Sequence, residues 1–417
     1  MLEPLADRRY RHLFAAQVTA LFGTGLTTVA LSLLAFDLAG GEAGLVLGTA
    51  LALKMVAYVL IAPVVGAFAH RLPRRPLLIA LDLARAAVVL SLPWVTEVWQ
   101  IYVLIVALNA GSAAFTPLFQ ATIPDILPDE ARYTRALSLS RLAYDLENLS
   151  SPMAAAAALL VFTYDALFAA NALAFLVSAA LVATVVLPAP TVPERTGRIL
   201  ETLGFGLAIY LATPRLRALF ALSLAVAAAG AMVIVNTVVV VRDVFGGSET
   251  EVALAFAAAG AGSMLAALAL PRVVAEVGDR PVMLAGGVVL AAGLGAGLLA
   301  SDLGQLLPVW LVLGLGSSLI QTPAGRLLRR SCQAGDRPAV FAAQFALSHL
   351  GWLVAYPLAG WAGASLGMGW ALVILAALCV GSTLAAALLW PAGDPVELEH
   401  THPAHAHAHR HVHDAHH

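Results

Sequence analysis

The sequence predicts an all-α membrane protein with twelve transmembrane helices arranged as two six-helix halves. Three observations predict it: an apolar composition, an alternating distribution of arginine, and an internal repeat. Of 417 residues, 60% are hydrophobic and 12% charged, and the mean hydropathy is +0.87. Soluble domains carry about 25% charged residues. A soluble chain this apolar could not cover its own surface. The composition excludes a soluble enzyme, a nucleic-acid binder and a disordered chain. Two cysteines, Cys332 and Cys379, cannot make a disulfide framework and read as packing residues.

Apolar runs fall at 12–36, 43–69, 76–93, 99–123, 134–162, 166–187, 216–241, 252–274, 282–300, 303–328, 339–363 and 370–390. Most reach the ~20 residues a bilayer helix needs. The first run is too long for a signal peptide and carries Gln17, Thr19 and Thr24.

Lys54 is the single lysine; the other basic residues are arginines. Arg8, Arg9 and Arg11 precede span one; Arg71, Arg74 and Arg75 separate spans two and three; Arg132 and Arg135 separate four and five. Arg195, Arg198, Arg215 and Arg217 separate six and seven, Arg272 and Arg280 flank the link from eight to nine, and Arg329, Arg330 and Arg337 separate ten and eleven. Alternate links hold almost none, Arg242 excepted. This positive-inside pattern predicts cytoplasmic termini and an even number of spans.

Arg75-Pro76 recurs as Arg280-Pro281, 205 residues on, Pro152 recurs as Pro357 at the same offset, and Thr116-Pro117 recurs as Thr322-Pro323 at 206. Each pair falls at equivalent places in the two halves, which is the plan of parallel-repeat transporters. The expected division is an N-terminal half over 1–188, a linker over 189–214, a C-terminal half over 215–391 and a flexible tail over 392–417. Pro188, Pro190 and Pro193 end span six, and 198–211 reads as a short amphipathic surface helix or a plain linker.

The link after span two reads Gly66-Ala-Phe-Ala-His70-Arg71-Leu-Pro73-Arg74-Arg75. It resembles the loop signature of the major facilitator superfamily, G-x-x-A-D-R-x-G-R-R. His70 stands where the family has Asp, and Pro73 where it has Gly. The family's Asp helps lock the outward-open state, a role neutral His70 fills less well. Ser151-Pro152 stands where antiporter branches carry Gly-Pro. The stretches TALALKMVAY (49–58), TEVWQIY (96–102) and LSLSRLAYDLENLSSP (137–152), with the ending HTHPAHAHAHRHVHDAHH, are similar to the nickel- and cobalt-resistance efflux branch. The resemblance implies proton-driven export of Ni²⁺, or Co²⁺, across a bacterial inner membrane, with the metal as substrate and no cofactor. The expected partners are the ion and the lipid bilayer, with no nucleic acid and a monomeric chain.

The tail argues separately. His400, His402, His405, His407, His409, His411, His413, His416 and His417 are nine of the 12 histidines. Imidazole suits nickel, copper and zinc. The run is interleaved with Ala, Arg, Val and Asp, unlike an unbroken purification tag. Placed in the cytoplasm, it captures ions before export but cannot line the path.

Ionisable groups inside spans are costly and usually functional. The first half holds Lys54, Asp82, Arg85, Arg141, Asp145 and Glu147; the second holds His349. Asp82 with Arg85 and Arg141 with Asp145 are spaced to pair on one helix face, and the first pair reads as structural. Lys54 and Glu147 lack local partners; they bridge each other or serve the ion. His349 is a ligand, a proton carrier or a packing histidine. The expected core metal ligands are His349 and Glu147. Asp145, Lys54, Arg141, Asn148, Asn109 and Asn236 complete the expected substrate and proton pathway, the amides reading also as packing groups.

Moving one charge against the potential costs about 2.3 kcal/mol per 100 mV, so exporting a divalent cation costs about twice that, and inward protons offset it. No GxxxxGK[ST] loop is present, so ATP is not the expected driver. An exporter of organic cations or drugs, and a membrane metal sensor that moves nothing, remain alternatives.

Overall fold

The computed structural model describes residues 1–39, 43–68, 72–188, 199–393, 397–402 and 405–410. His70, Arg71, Arg195, Arg198, His411, His413, His416 and His417 lie outside the described residues.

Six helices form the first half: α1 (Arg8–Ala39), α2 (Ala43–Phe68), α3 (Arg74–Ser91), α4 (Val98–Ile126), α5 (Glu130–Leu159) and α6 (Tyr164–Ala183). A linker helix α7 (Ile199–Ala212) follows. The second half holds α8 (Pro214–Ala231), α9 (Glu249–Val277), α10 (Asp279–Gly297), α11 (Leu303–Arg330), α12 (Arg337–Leu366) and α13 (Met368–Leu389). α8 runs on through π-helical turns at Met232–Asn236 and Val240–Val244, which carries it past the apolar run expected from sequence. Gly278 and Gly367 take φ of +88° and +89°, which lets α9 reverse into α10 and α12 into α13 without a Cβ clash.

Eleven of the described helices are long and apolar enough to cross a membrane. The twelfth is α5, which has 30 residues and carries Arg141, Asp145 and Glu147. It packs against α1, α9 and α11, so its charges face protein rather than lipid. The two halves hold largely separate apolar cores. Tyr10, Leu13, Phe168 and Phe175 are buried in the first, and Leu222, Met283, Leu290 and Trp310 in the second.

The repeat is visible as contacts. The Arg75 guanidinium donates to the Ala183 carbonyl at the end of α6. Arg280 makes the equivalent contact at the end of α13, donating to the carbonyls of Trp390 (2.9 Å) and Ala387 (3.3 Å). Tyr10 donates to the Ala136 carbonyl at 3.2 Å, and Arg132 pairs with Glu3 at 3.2 Å, so the N-terminal segment sits beside the start of α5. These contacts gather both ends of the helical bundle at one arginine-rich end.

In the tail, the backbones of β1 (Glu397–His402) and β2 (His405–Arg410) pair antiparallel, where the sequence suggests a flexible coil; His400 lies opposite His407 and His402 opposite His405.

Candidate transport site and its closing contacts

His349 lies on α12, half-buried at the seam between the halves. Its Nδ1 is 2.7 Å from the Phe345 carbonyl. A carbonyl can only accept, so Nδ1 carries a proton, and in the neutral ring Nε2 keeps its lone pair. Metal-ligating histidines are commonly oriented by this same donation to a carbonyl. The ring lies 4.2 Å from that of Phe345, tilted by 38°, and meets Tyr58 of α2 edge-on at 4.7 Å. Lys54, one turn before Tyr58, places its Nζ 5.6 Å from the same Tyr58 ring. Such a cation–π contact contributes about 0.5–2 kcal/mol. Lys54, Tyr58 and His349 thus form a row across the seam.

Glu147 of α5 faces α1. A Cβ added to Gly25 would meet Glu147 Oε1 at 2.4 Å and Ser151 Oγ at 2.4 Å, so the carboxyl group lies in a notch that only glycine leaves open. Lys54 lies within electrostatic reach of both Glu147 and His349. Among the described residues, however, Lys54 and Glu147 form no direct ion pair, so the bridge considered from sequence is not made. Nor do three His, Cys, Asp or Glu side chains converge on one point among the described residues. No hydrogen bond or ion pair joins His349 to Glu147 among the described residues; what the two share is the nearby charge of Lys54.

Arg141 and Asp145 pair at 2.9 Å, Asp145 being buried. Arg141 Nε also donates to Ser263 of α9 at 2.8 Å, which ties the first half to the second at mid-depth. Asn109 donates to the Ile105 carbonyl of its own helix at 2.8 Å, and Asn236 to the Ala359 carbonyl at 3.2 Å; both are buried and spent on backbone. Asn148 is exposed. Asp82 is fully buried, accepts from Ser178 of α6 at 2.7 Å and pairs with Arg85. The Arg85 guanidinium is sandwiched between Phe115 (4.2 Å) and Phe175 (4.4 Å).

Sequence reasoning missed the contacts that close the arginine-rich end. Asp125, at the end of α4, pairs with Arg74 at 2.5 Å and with Arg337 of the second half. Asp279, at the start of α10, pairs with Arg330 at 2.5 Å and Arg326 at 3.1 Å. Arg326 crosses to Glu130 of α5 at 2.8 Å and to Thr134 Oγ1 at 3.3 Å. Gly66, in the loop signature, lies against Ala342, and a Cβ there would approach the Pro338 carbonyl to 3.0 Å. Every ion pair that joins the halves between described residues lies at this end. The signal was present: Arg74 and Asp279, and Asp125 and Arg330, are each 205 residues apart, the offset of the repeat.

The matches to known proteins agree with this architecture. The family model described as Major Facilitator Superfamily matches residues 13–241 and 219–411. The chain belongs to the major facilitator superfamily and is a multi-pass membrane transporter. Over 169 residues it is 29% identical to the uncharacterized MFS-type transporter YfiS of Bacillus subtilis, covering 40% of each chain. Over 185 residues it is 23% identical to macrolide efflux protein A of Streptococcus pyogenes, covering 43% of this chain and 45% of the relative. The matched stretch thus spans less than half the length of these curated relatives. Among solved structures, the human organic anion transporter MFSD10 (TETRAN) superposes with a TM-score of 0.79 at 13% identity, over 91% of this chain and 99% of that one. A bacterial homologue of the iron transporter ferroportin, in its outward-facing state, gives 0.73 at 14% identity, over 91% and 99%. At these identities the likeness is one of fold.

Proposed function

We propose that this transporter is a secondary active exporter of divalent transition-metal ions, Ni²⁺ first and Co²⁺ second, working by proton antiport with alternating access. The observation that carries the reading is the orientation of His349. Its Nδ1–H is committed to a carbonyl, and Nε2 is left as a nitrogen donor at the seam that must open and close. Glu147 supplies the oxygen donor, and Lys54 the competing positive charge that displaces the ion as the halves rock. Protons moving inward on His349 or Glu147 offset the cost of expelling two charges. The arginine-rich end is the cytoplasmic side of a bacterial inner membrane by the positive-inside rule, which places the histidine-rich tail where it raises the local ligand concentration at the cytoplasmic mouth.

A second reading is export of a lipophilic organic cation. Tyr58, Phe345, Trp352 and Tyr356 supply aromatic surface near the seam, and one relative is a macrolide efflux protein. Inverted membrane vesicles separate the two. Under an acid-inside gradient the metal reading predicts nickel accumulation that excess cobalt suppresses and a lipophilic cation does not. Accumulation of the organic cation without nickel would overturn it.

A further inference from the structure

We infer that the cleft between α8 and α13 at the arginine-rich end is a binding site for an anionic phospholipid, with one acyl chain along the cleft and the phosphate on Arg217. The cleft has a volume of about 490 Å³ and is lined by Phe220, Ala221 and Leu224 of α8 and by Leu378, Gly381 and Leu389 of α13. Its walls are almost wholly apolar, and Leu384 (59% exposed) and Leu388 (87% exposed) of α13 continue the apolar surface beside it. An apolar cleft open to the bilayer is filled by hydrocarbon.

Depth fixes the orientation. Arg217 lies three residues past Pro214, where α8 begins, and Leu389 is the last residue of α13, so both stand at the membrane surface. Leu378 lies eleven residues back along α13, about 16 Å deeper at 1.5 Å per residue. The cleft therefore runs from headgroup level toward the midplane, along the direction of an acyl chain.

Charge identifies the headgroup. Arg217 is exposed and has no acidic partner among the described residues, in contrast to Arg74, Arg326, Arg330 and Arg337 at the same end, which are all paired with carboxylates. Ser382 adds a hydroxyl within the lining. A free guanidinium above an apolar slot matches a phosphate above an acyl chain, and basic pockets between transmembrane helices recognise anionic headgroups on this principle.

Native mass spectrometry of the full chain tests this, with phosphatidylglycerol or phosphatidylcholine of identical chains added in detergent. The wild type should retain phosphatidylglycerol about fivefold better, the ratio expected for one arginine near the surface. Arg217→Gln should remove that preference and leave a residual, headgroup-independent retention. Gly381→Leu should lower retention of both lipids; a Cβ at Gly381 meets nothing within 4 Å, so the variant fills the cleft without disturbing the backbone. Equal retention of the two lipids by the wild type, an unchanged preference in Arg217→Gln, or unchanged retention in Gly381→Leu would each overturn the proposal.

Discussion

The two halves share a backbone plan but solve the same positions with opposite chemistry. In the first half, α3 and α6 are joined by a buried Asp82–Arg85–Ser178 cluster. At the 205-residue offset the second half has Gly287, Leu290 and Thr383, and a Cβ on Gly287 would meet Thr383 Oγ1 at 2.4 Å; there the helices simply approach closely. The closing pairs invert in sign. Arg74 meets Asp125 in the first half at 2.5 Å, and Asp279 meets Arg330 in the second at 2.5 Å. The seams differ as well. Tyr58 of α2 meets His349 of α12, whereas its repeat partner Ser263 of α9 meets Arg141 of α5. A duplicated fold thus fixes where helices meet, while local side chains decide whether a meeting is apolar packing, an ion pair or a candidate ligand site.

The largest effect is expected where the first half departs from the second. Arg85→Leu alone leaves Asp82 buried without its cation, which should cost about 3–5 kcal/mol and show as a collapse in folded yield and melting temperature. Asp82→Gly with Arg85→Leu installs the second half's residues and should recover much of that loss. If the double variant is no better than the single one, the cluster does more than join two helices.

A smaller effect is expected at the closing pairs. Asp125 bridges the halves directly, whereas Asp279 does so only through Arg326. Asp125→Asn should therefore favour opening of the arginine-rich end by about 1.5–3 kcal/mol, and Asp279→Asn by less. Spin labels at Leu72 and Gln333, both exposed in links at that end, report the separation. The native cysteines give no background: Cys332 and Cys379 are buried, and burial pushes the Cys332 thiol up to about 12. An equal response of the two variants would remove the distinction between direct and relayed bridges. The same reagent-based approach tests orientation: cysteines at Ser301 and Leu366, both exposed, should label from outside intact cells, and one at Gln333 should not.

The smallest effect concerns the tail. Truncation after Glu399 should weaken nickel tolerance several-fold while leaving flux measurable, because the tail concentrates ions without lining the path. Complete loss of flux in a folded truncation would place the tail in the path.

Much of the fold was legible in the sequence because bilayer crossing imposes length, composition and charge asymmetry on every span. α5 was legible by period and topology, although its charges make it an outlier in hydropathy. The π-helical turns of α8 were not, since no proline or glycine marks them between Met232 and Val244. At the site, the isolation of Lys54, Glu147 and His349 was readable from their lack of neighbours at helical spacing. Their surroundings were not: Tyr58 and Gly25 are ordinary residues until α2, α1 and α12 are brought together. Asn109 and Asn236 look alike in sequence, and only their backbone partners mark them as packing groups.

The claim that His349 and Glu147 form one transport site is tested most directly in proteoliposomes, by measuring nickel uptake and the accompanying proton counterflow for the wild type, His349→Ala and Glu147→Gln. The wild type should show nickel-dependent proton release, and each variant should lose most of both fluxes with expression and melting temperature preserved. Nickel transport at the parental rate in both variants would contradict it.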